Sequence, residues 1–434
     1  MPPLPRLGLL VALLAVTGCG DTARLTVAEG SGPTPTIPEP TTSLIPTVNF
    51  ADAEPWPDGR MPTPAPGLAV NAFASGFDHP RWLHVLPNGD VLVAESNAPP
   101  GTGTSGIRGM IQRALMKKAG AVTPSADRIT LLRDTDGDGD GEVRFTLLEG
   151  LASPFGMALV GDRLIVANSG SLVSFPYTLG QTRITAAPDT LARFPVGPVN
   201  RHWTRSLLLA PDGRTLYVGV GSASNVAEDG IEMEEGRAAV WAVDAITGET
   251  RIVASGLRNP VGLAVEPTTG ALWTAVNERD ELGSDIVPDY MTAVQEGGFY
   301  GWPYSYFGDT VDTRVELQRP DLVAQALVPD YALGPHTASL GLAWVEPGLL
   351  GAEGGMAIGQ HGSWNRRPPS GYKVVFVPFA DGTPVGLPRD VLTGFLSEDE
   401  EEAYGRPVGV EVAADGALLV ADDVGNVIWR VSRR

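Results

Sequence analysis

The feature that most constrains this chain is a short phrase that recurs along it. Its clearest copy, Pro260-Val-Gly-Leu-Ala-Val-Glu-Pro-Thr-Thr-Gly-Ala-Leu-Trp273, contains an apolar strand, a Pro/Gly turn and a second strand. Six copies begin at or near Pro80, Pro154, Thr204, Pro260, Ser339 and Pro407. A distance of about 50 to 80 residues between the first residues of successive copies is consistent with the blades of a β-propeller. We therefore predict an all-β, six-bladed β-propeller over residues 67–434.

One segment departs from this pattern of strands and turns. Residues 107–119 place apolar side chains on one face at helical spacing, with Arg and Lys elsewhere. The spacing predicts a short helix in an insertion after the first blade. Such a helix could lie on a membrane, cover the channel or pack on the side of the propeller.

The first 66 residues predict export and anchoring. Arg6, the apolar stretch Leu7–Val16 and the closing Thr-Gly-Cys19 resemble a bacterial lipoprotein signal peptide over residues 1–19, with Cys19 lipidated. The alternative is a plain secretory signal. Residues 20–66 are rich in Pro and Thr, which predicts a disordered tether. We expect an exported protein of the bacterial envelope that touches the membrane only through its lipid anchor.

The charge balance excludes one class of partner. The chain has 31 Lys and Arg against 51 Asp and Glu, a formal net charge of -20. A surface this acidic repels a phosphate backbone, so we expect no nucleic-acid partner.

An acidic turn over residues 134–142, Asp-Thr-Asp-Gly-Asp-Gly-Asp-Gly-Glu, begins like the calcium loop of an EF-hand. Closely spaced carboxylates repel one another unless a hard cation neutralises them. Phe145 stands where the EF-hand has its bidentate Glu, so Asp140 or Glu142 would have to complete the shell. The candidate ligands are Asp134, Asp136, Asp138, Asp140 and Glu142. We predict a structural calcium site here, the alternative being an acidic turn without metal.

Polar residues stand where the inner strands should begin, at one end of the channel, which we call the mouth. They are His79, Ser153, His202, Asn259 and Arg406. Neutral imidazole is the usual general base near neutral pH, which makes His202 a candidate. Arg258 beside Asn259 offers a guanidinium fork for a carboxylate, although a structural salt bridge would also explain it. His84 lies further along its strand, where a structural role is the better interpretation.

The loop His361-Gly-Ser-Trp-Asn-Arg-Arg367 holds a histidine, an aromatic ring and two arginines. That mixture suits a flat, acidic, conjugated ligand through stacking and ion pairing. The alternative is a solvated loop whose Trp364 packs between blades.

Longer strings carry a resemblance to a known family. They are Gly256-Leu-Arg-Asn-Pro-Val-Gly-Leu-Ala264, Asn277-Glu-Arg-Asp-Glu-Leu-Gly-Ser-Asp285, Glu296-Gly-Gly-Phe-Tyr-Gly-Trp-Pro303, His361-Gly-Ser-Trp-Asn-Arg366, Gly371-Tyr-Lys-Val-Val-Phe-Val-Pro378 and Gly405-Arg-Pro-Val-Gly409. Over most of residues 68–434 the chain resembles the soluble pyrroloquinoline quinone (PQQ)-dependent sugar dehydrogenases, especially their sorbosone dehydrogenase-like branch.

The resemblance implies PQQ and Ca²⁺ as cofactors. It implies oxidation of an aldose or a sugar aldehyde, with hydride transfer to the quinone and electrons passed to an external acceptor. The family's histidine base, in the phrase His-x-x-x-x-Leu-x-x-x-Pro-Asp, maps to His202. The cofactor-binding candidates are Arg258, Asn259, His361, Arg366 and Arg406. The calcium that bridges to the quinone maps to the segment 277–285, with Arg279 and Asp280 as candidates.

The chain departs from this family in two places. Arg201 stands where the soluble glucose enzymes have an acidic residue before the histidine, and a lysine of their site has no match. Two other classes of function stay open: a propeller that binds a protein or glycan without catalysis, and a metal-dependent lactonase. A lactonase would need a cluster of carboxylate and Asn ligands in the channel.

Overall fold

The chain folds as a six-bladed β-propeller in a computed structural model that describes residues 20–41, 47–100, 117–120 and 122–434. Each blade is an antiparallel sheet with four main strands that succeed one another from the channel outward. The six-bladed, all-β prediction is confirmed.

The strands of the first three blades run in chain order. Blade 1 has Pro80–Val85, Val91–Glu95, Arg128–Arg133 and Val143–Leu148; blade 2 has Met157–Val160, Arg163–Asn168, Ser171–Pro176 and Asp189–Arg193; blade 3 has Leu207–Leu209, Thr215–Val220, Ala239–Asp244 and Thr250–Ser255.

The last three blades recruit strands from the N-terminal region. Blade 4 has Pro260–Val265, Leu272–Val276, Pro288–Ala293 and Tyr331–Pro335, with Ser31–Gly32 at its edge; blade 5 has Ser339–Val345, Gly355–Gln360, Lys373–Ala380 and Arg389–Thr393, with Thr63–Pro64 at its edge and Thr383–Pro384 paired to its third strand; blade 6 has Pro407–Val412, Leu418–Asp422, Val427–Arg433 and Leu68–Ser75.

Short elements lie outside the blades. Asp52–Ala53 pairs in parallel with Glu402–Ala403, and Ser305–Tyr306 forms a hairpin with Thr310–Val311. Within residues 122–434 the helical elements are a 3₁₀ turn, Ile231–Glu234, and one α-helical turn, Pro320–Val323. In the part of the chain described by the structure, no helix is both long and apolar enough to cross a membrane.

The ring closes through the two ends of the propeller sequence. Leu68–Ser75 pairs with Val427–Arg433 along its whole length, so the last blade combines strands from both ends of the domain. This pairing covers the outer edge of Val427–Arg433. The inner strand Pro407–Val412 then lies beside the inner strand Pro80–Val85.

Adjacent blades pack through apolar faces and through glycines in the recurrent phrase. The rings of Trp82 in blade 1 and Phe155 in blade 2 lie 4.6 Å apart. A Cβ on Gly341 would lie 2.2 Å from the carbonyl oxygen of Val408 in the next blade. That position of the phrase therefore requires glycine, because only a residue without a side chain lets the two backbones approach so closely.

The N-terminal segment departs from the prediction of a disordered tether. In its described part it lies on the propeller, where Ser31 and Ala51 are buried. Asp285 accepts hydrogen bonds from the backbone N–H groups of Arg24 and Leu25, at 2.8 and 3.1 Å. Composition predicted disorder because the segment cannot bury a core of its own. The structure corrects this, since short stretches of the segment pair with blade edges and loops.

Two other predictions lie outside or largely outside the described residues. Residues 1–19, with the lipoprotein signal and Cys19, are not among them, so the anchor stays a prediction. The predicted helix 107–119 falls mostly on residues 101–116, which are also outside the described part.

Candidate active site

The mouth of the channel brings two sets of residues together. In each blade the first and second strands are antiparallel, so Pro260 pairs with Val276 and Pro407 with Asp422. The residue before each inner strand therefore lies beside the residues that follow the second strand. These two sets supply the side chains described below.

His202 is held in one orientation at the mouth. Its Nδ1 lies 2.9 Å from the carbonyl oxygen of Ser222 and 2.9 Å from the Ser222 Oγ. A carbonyl only accepts hydrogen bonds, so Nδ1 carries the hydrogen in the tautomer that this network assigns. The Nε2 lone pair is then the basic position of the ring.

The protonation state of His202 suits a base. Burial, followed by the nearby Arg258 guanidinium, holds the pKa of His202 well below its ordinary value. The imidazole is therefore neutral at pH 7 and able to accept a proton.

Asn259 is the immediate neighbour of His202 across a glycine. A Cβ on Gly221 would lie 2.3 Å from the Asn259 Oδ1 and 2.5 Å from the His202 Cβ. The absence of a side chain at Gly221 thus lets the imidazole and the amide approach. The Asn259 Oδ1 is buried and has no hydrogen-bond partner among the described residues.

Arg258 is buried and engaged with the protein. It donates to the carbonyl oxygen of Glu278 at 2.7 Å and to the Asn225 Oδ1 at 2.9 Å, and its Nη2 lies 3.4 Å from the Asp280 Oδ2. The guanidinium therefore acts as a fixed positive charge near His202. Its direct contacts are with the protein itself, as in the structural alternative that the sequence left open.

Asp280 joins two further polar residues at the mouth. Asn365 donates to its Oδ1 at 2.8 Å, and the Nδ1 of His336 lies 3.6 Å from the same oxygen. Although burial pushes the pKa of Asp280 upward, hydrogen bonding to His336 and the charge of Arg258 hold it below its ordinary value. The carboxylate is therefore ionised and paired.

A second ionic cluster surrounds Asp423, directly after the second strand of blade 6. The Asp423 carboxylate lies 2.9 Å from the His361 Nε2 and forms an ion pair with Arg81. The His79 Nδ1 lies 3.1 Å from the Asp423 carbonyl oxygen. Burial alone would raise the pKa of Asp423, but His361, His79 and Arg81 together hold it well below its ordinary value. Burial lowers the pKa of His79 to about 4.

Arg406 approaches the mouth from the start of blade 6. Its backbone N–H donates to the Asp422 Oδ1 at 2.8 Å, and its Nη2 donates to the Tyr372 hydroxyl at 3.1 Å. Its Nε is buried without a hydrogen-bond partner among the described residues, as are the Arg81 Nε and the Asn365 Oδ1.

The buried polar atoms without partners show whether the residues at the mouth suit an acidic quinone. A buried polar atom without a partner costs free energy, so such atoms mark places where a ligand or water completes the bonding. Two guanidinium N–H donors, from Arg81 and Arg406, suit carboxylates, and the acceptor of Asn259 suits a ligand hydroxyl or N–H. The residues at the mouth therefore fit an anionic ligand that also carries hydrogen-bonding groups.

Two predicted site residues are engaged elsewhere. Arg366 donates through one terminal nitrogen to the carbonyl oxygen of Pro368 in its own loop, and through the other to the carbonyl oxygen of Leu25 in the N-terminal segment. The Arg279 side chain is fully buried in ion pairs with Glu278 and Asp312. The Arg366 Nε is buried without a hydrogen-bond partner among the described residues, so a contact of Arg366 with the cofactor stays a prediction.

The predicted calcium position at Asp280 is also occupied by protein groups. Its carbonyl oxygen accepts hydrogen bonds from Arg314 at 2.8 Å and Asn225 at 3.3 Å. A calcium ion bound by the segment 277–285 stays a prediction.

The acidic turn lies away from the mouth. It joins the third and fourth strands of blade 1 at the opposite end of the channel. Ligand oxygens of Asp134, Asp136 and Asp138 lie within 4.8 Å of one another. Asp140 instead accepts a hydrogen bond from Asn71 at 2.7 Å, and Glu142 accepts from the backbone of Thr135 at 2.9 Å. Asp140 and Glu142 are thus engaged in other contacts.

Sequence reasoning missed Arg81, Asp423, His336 and Asn365. A signal for Arg81 existed: the second position of the recurrent phrase is apolar in four copies and Arg in the other two, as Arg81 and Arg205. No comparable signal in the sequence indicated Asp423, because acidic residues are common in the turns that follow strands.

Comparison with known proteins places the chain in a family. The sequence model of the TrAA12-like family matches residues 62–296 and 320–434, so the chain belongs to this family. It is 25% identical over 431 residues to the pyrroloquinoline quinone-dependent pyranose dehydrogenase of Coprinopsis cinerea, a match that covers 85% of this chain and 54% of that protein. It is 30% identical over 244 residues to an uncharacterised protein of Borreliella burgdorferi, covering 55% of this chain and 63% of that one. The matches therefore span less than two thirds of these relatives' lengths.

Solved structures share the fold. The holo form of the PQQ domain of the Coprinopsis cinerea pyranose dehydrogenase superposes with a TM-score of 0.68 at 23% identity, covering 87% of this chain and 98% of that one. The calcium structure of the Trichoderma reesei AA12 enzyme gives a TM-score of 0.69 at 20% identity, covering 86% and 97%. The resemblance to the PQQ-dependent sugar dehydrogenases is confirmed.

Proposed function

We propose that this chain is a PQQ-dependent dehydrogenase that oxidises an aldose or a sugar aldehyde at the mouth of the propeller, with His202 as the general base. One observation carries the proposal: a neutral imidazole, fixed through its Nδ1, stands beside the Oδ1 of Asn259, which has no partner in the part of the chain that the structure describes. The names of the curated relatives, which specify PQQ and sugars, support the cofactor and the substrate class.

His202 performs the proton transfer in this proposal. Its Nε2 accepts the hydroxyl proton of the sugar, or of a hydrated aldehyde, while the Ser222 carbonyl keeps Nδ1 protonated. The Arg258 charge opposes a lasting positive charge on the ring and so favours release of the proton to solvent. When bound, the quinone with its calcium ion supplies the acceptor for the hydride.

Arg81 and Arg406 would hold the carboxylates of the quinone. Both guanidinium groups are buried or nearly so, and the Nε of each has no hydrogen-bond partner within the described ranges. Asn259 would accept a hydrogen bond from the bound ligand or substrate. A sorbosone-like substrate remains part of the proposal, as do an external electron acceptor and a lipid anchor.

Reconstitution tests the function directly. Apoprotein mixed with PQQ and Ca²⁺ should show a shifted quinone spectrum and a raised melting temperature, because a ligand that binds only the folded state stabilises it. A panel of aldoses and sugar aldehydes with an artificial dye acceptor should then show turnover. An absence of quinone binding would favour a propeller that only binds partners, and chelator-sensitive lactone hydrolysis without quinone would favour a lactonase.

The base is tested by His202→Ala. We expect turnover to fall by about 10²- to 10⁴-fold, the usual contribution of a general base. PQQ affinity, measured by calorimetry, should stay close to wild type. His84→Ala is the matched control, since it removes a histidine from an inner strand away from the mouth. Dye-linked oxidation that survives in His202→Ala would contradict the assignment.

A further inference from the structure

The part of the N-terminal segment that precedes the propeller reaches the loops of the mouth. We call residues 47–56 the strap. Its Asn49 donates through Nδ2 to the Arg366 carbonyl oxygen and through its backbone to the Trp364 carbonyl oxygen, at 2.9 and 2.8 Å. Phe50 stacks on Trp364, with ring centroids 5.8 Å apart and an angle of 24° between the planes. The strap therefore holds the loop that carries His361 and Asn365.

The strap also contacts one group that fixes Arg406 and the loop that holds the other. The Trp56 Nε1 donates to the Asp422 Oδ2 at 2.9 Å, while the Asp422 Oδ1 accepts from the Arg406 backbone. The Tyr372 hydroxyl accepts from the Arg406 Nη2 and donates at 2.8 Å to the carbonyl oxygen of Ser363, in the loop that the strap holds. Arg406 is thus fixed at its backbone by a carboxylate that bonds the strap, and at its guanidinium by a hydroxyl that bonds the same loop.

The strap itself is held firmly on the propeller, so it can restrict the movement of the groups that it contacts. The Trp56 ring packs against Phe395, Tyr404 and Trp429, with centroids 5.6, 5.8 and 5.3 Å away. Ala51 is only 2% exposed. Holding Arg406 in place before a ligand arrives lowers the entropy that binding must overcome.

We propose that the strap is a built-in part of the quinone site, in which Trp56 positions Arg406 through Asp422, and the stacking of Phe50 positions the His361 loop, for an anionic cofactor. The inference rests on the proposed function. Trp56 is a positioning residue in this account, because it acts through Asp422 and touches no reacting atom.

The test variant is Trp56→Phe, which keeps an aromatic ring and removes the N–H donor to Asp422. We expect the PQQ dissociation constant, measured by calorimetry on the full chain with Ca²⁺, to rise about five- to tenfold, the scale of one lost hydrogen bond to a charged group. With saturating PQQ, kcat should stay near wild type, because His202 is untouched. The apoprotein melting temperature should change little.

Trp344→Phe is the matched control. Trp344 is also half-buried, donates from its Nε1 to a carboxylate of Glu346 at 3.0 Å and packs edge-on against a phenylalanine. It lies near the far end of an inner strand, away from the mouth. The control should bind PQQ as the wild type does.

A second variant protects the test against misfolding. Phe50→Ala loosens the strap at a partly exposed position and leaves Asp422 unchanged, so we expect a smaller affinity loss of about two- to threefold. If the wild type binds PQQ and both Trp56→Phe and Phe50→Ala bind it equally well, the strap inference is overturned. If Trp56→Phe does not fold, an unchanged affinity in Phe50→Ala overturns it alone. A wild type that does not bind PQQ overturns the proposed function instead.

Discussion

At the scale of single residues, two inner strands carry a titratable side chain at a position that is apolar in the other four blades. The fifth position of the phrase is His84, Ala158, Leu208, Ala264, Ala343 and Glu411. Burial lowers the pKa of His84 to about 4 and raises the pKa of Glu411 to about 8. Both side chains are therefore mainly neutral in the folded protein at pH 7, although each would be charged over much of the range between these values in the unfolded chain.

Glu411 gives a pH-dependent prediction. Its folded pKa lies above the unfolded value, so wild-type stability falls as pH rises from about 4.5 to 8. Glu411→Gln removes this dependence. Its melting temperature should exceed that of the wild type by about 2–5 °C at pH 8 and match it at pH 4.5. Thermal melts at both pH values check this, with the exposed Glu398→Gln as control. An equal difference at both pH values would contradict the burial argument.

At the scale of an element, the acidic turn of blade 1 is shaped before any metal arrives. Asp134 accepts from the backbone N–H groups of Gly137 and Gly139, at 2.7 and 2.9 Å. The turn lies beside blade 6, where a Cβ on Gly139 would come within 2.8 Å of the Arg430 guanidinium. A cation bound here would therefore stabilise the contact between blade 1 and blade 6, where the ring of blades closes.

The calcium prediction for this turn has a selective test. Ca²⁺ should raise the melting temperature of the wild type, and Asp136→Asn should reduce that increase, because it removes one of three converging charges. Asp140→Asn should keep the increase, since that carboxylate bonds Asn71 instead. Melts with Ca²⁺ or with chelator distinguish the variants. Equal responses in all three proteins would place the calcium effect elsewhere.

At the scale of the whole molecule, the N-terminal segment limits how far the propeller could lie from a lipid anchor at Cys19. Asp21 accepts a hydrogen bond from the Ser284 N–H at 2.9 Å, so the segment meets the propeller two residues after Cys19. A lipid on Cys19 would therefore hold the mouth end of blade 4 close to the bilayer, and would not leave the domain at the end of a long tether.

Lipidation is tested by Cys19→Ser expressed in a bacterial host. The wild type should incorporate labelled fatty acid and sediment with membranes, whereas the variant should do neither, because no other thiol exists in the chain. Unchanged PQQ affinity in the purified variant would show that its fold is intact. A fatty-acid label that persists in Cys19→Ser would contradict the anchor.

The propeller architecture could be predicted from the sequence because each blade is specified by a local segment of the chain. Each copy of the phrase contains its own strands, turn and glycine, so the number of blades could be inferred from it. The position of His202 and Asn259 at the mouth followed from the same repeat. The hydrogen bond from Arg366 to Leu25 could not be predicted, because nothing near Arg366 in the sequence indicated that the N-terminal segment would reach it.

The recurrent phrase was enough to predict the six-bladed propeller, the end of the channel that carries polar residues and His202 at that end. The contacts of Arg81 and Asp423 at this site, and the course of the N-terminal segment over the propeller, became evident only from the folded chain. These groups come together from positions far apart in the sequence. The bond from Trp56 to Asp422 joins residues 366 positions apart, and no local period or composition encodes which distant groups a closed ring of blades will bring into contact.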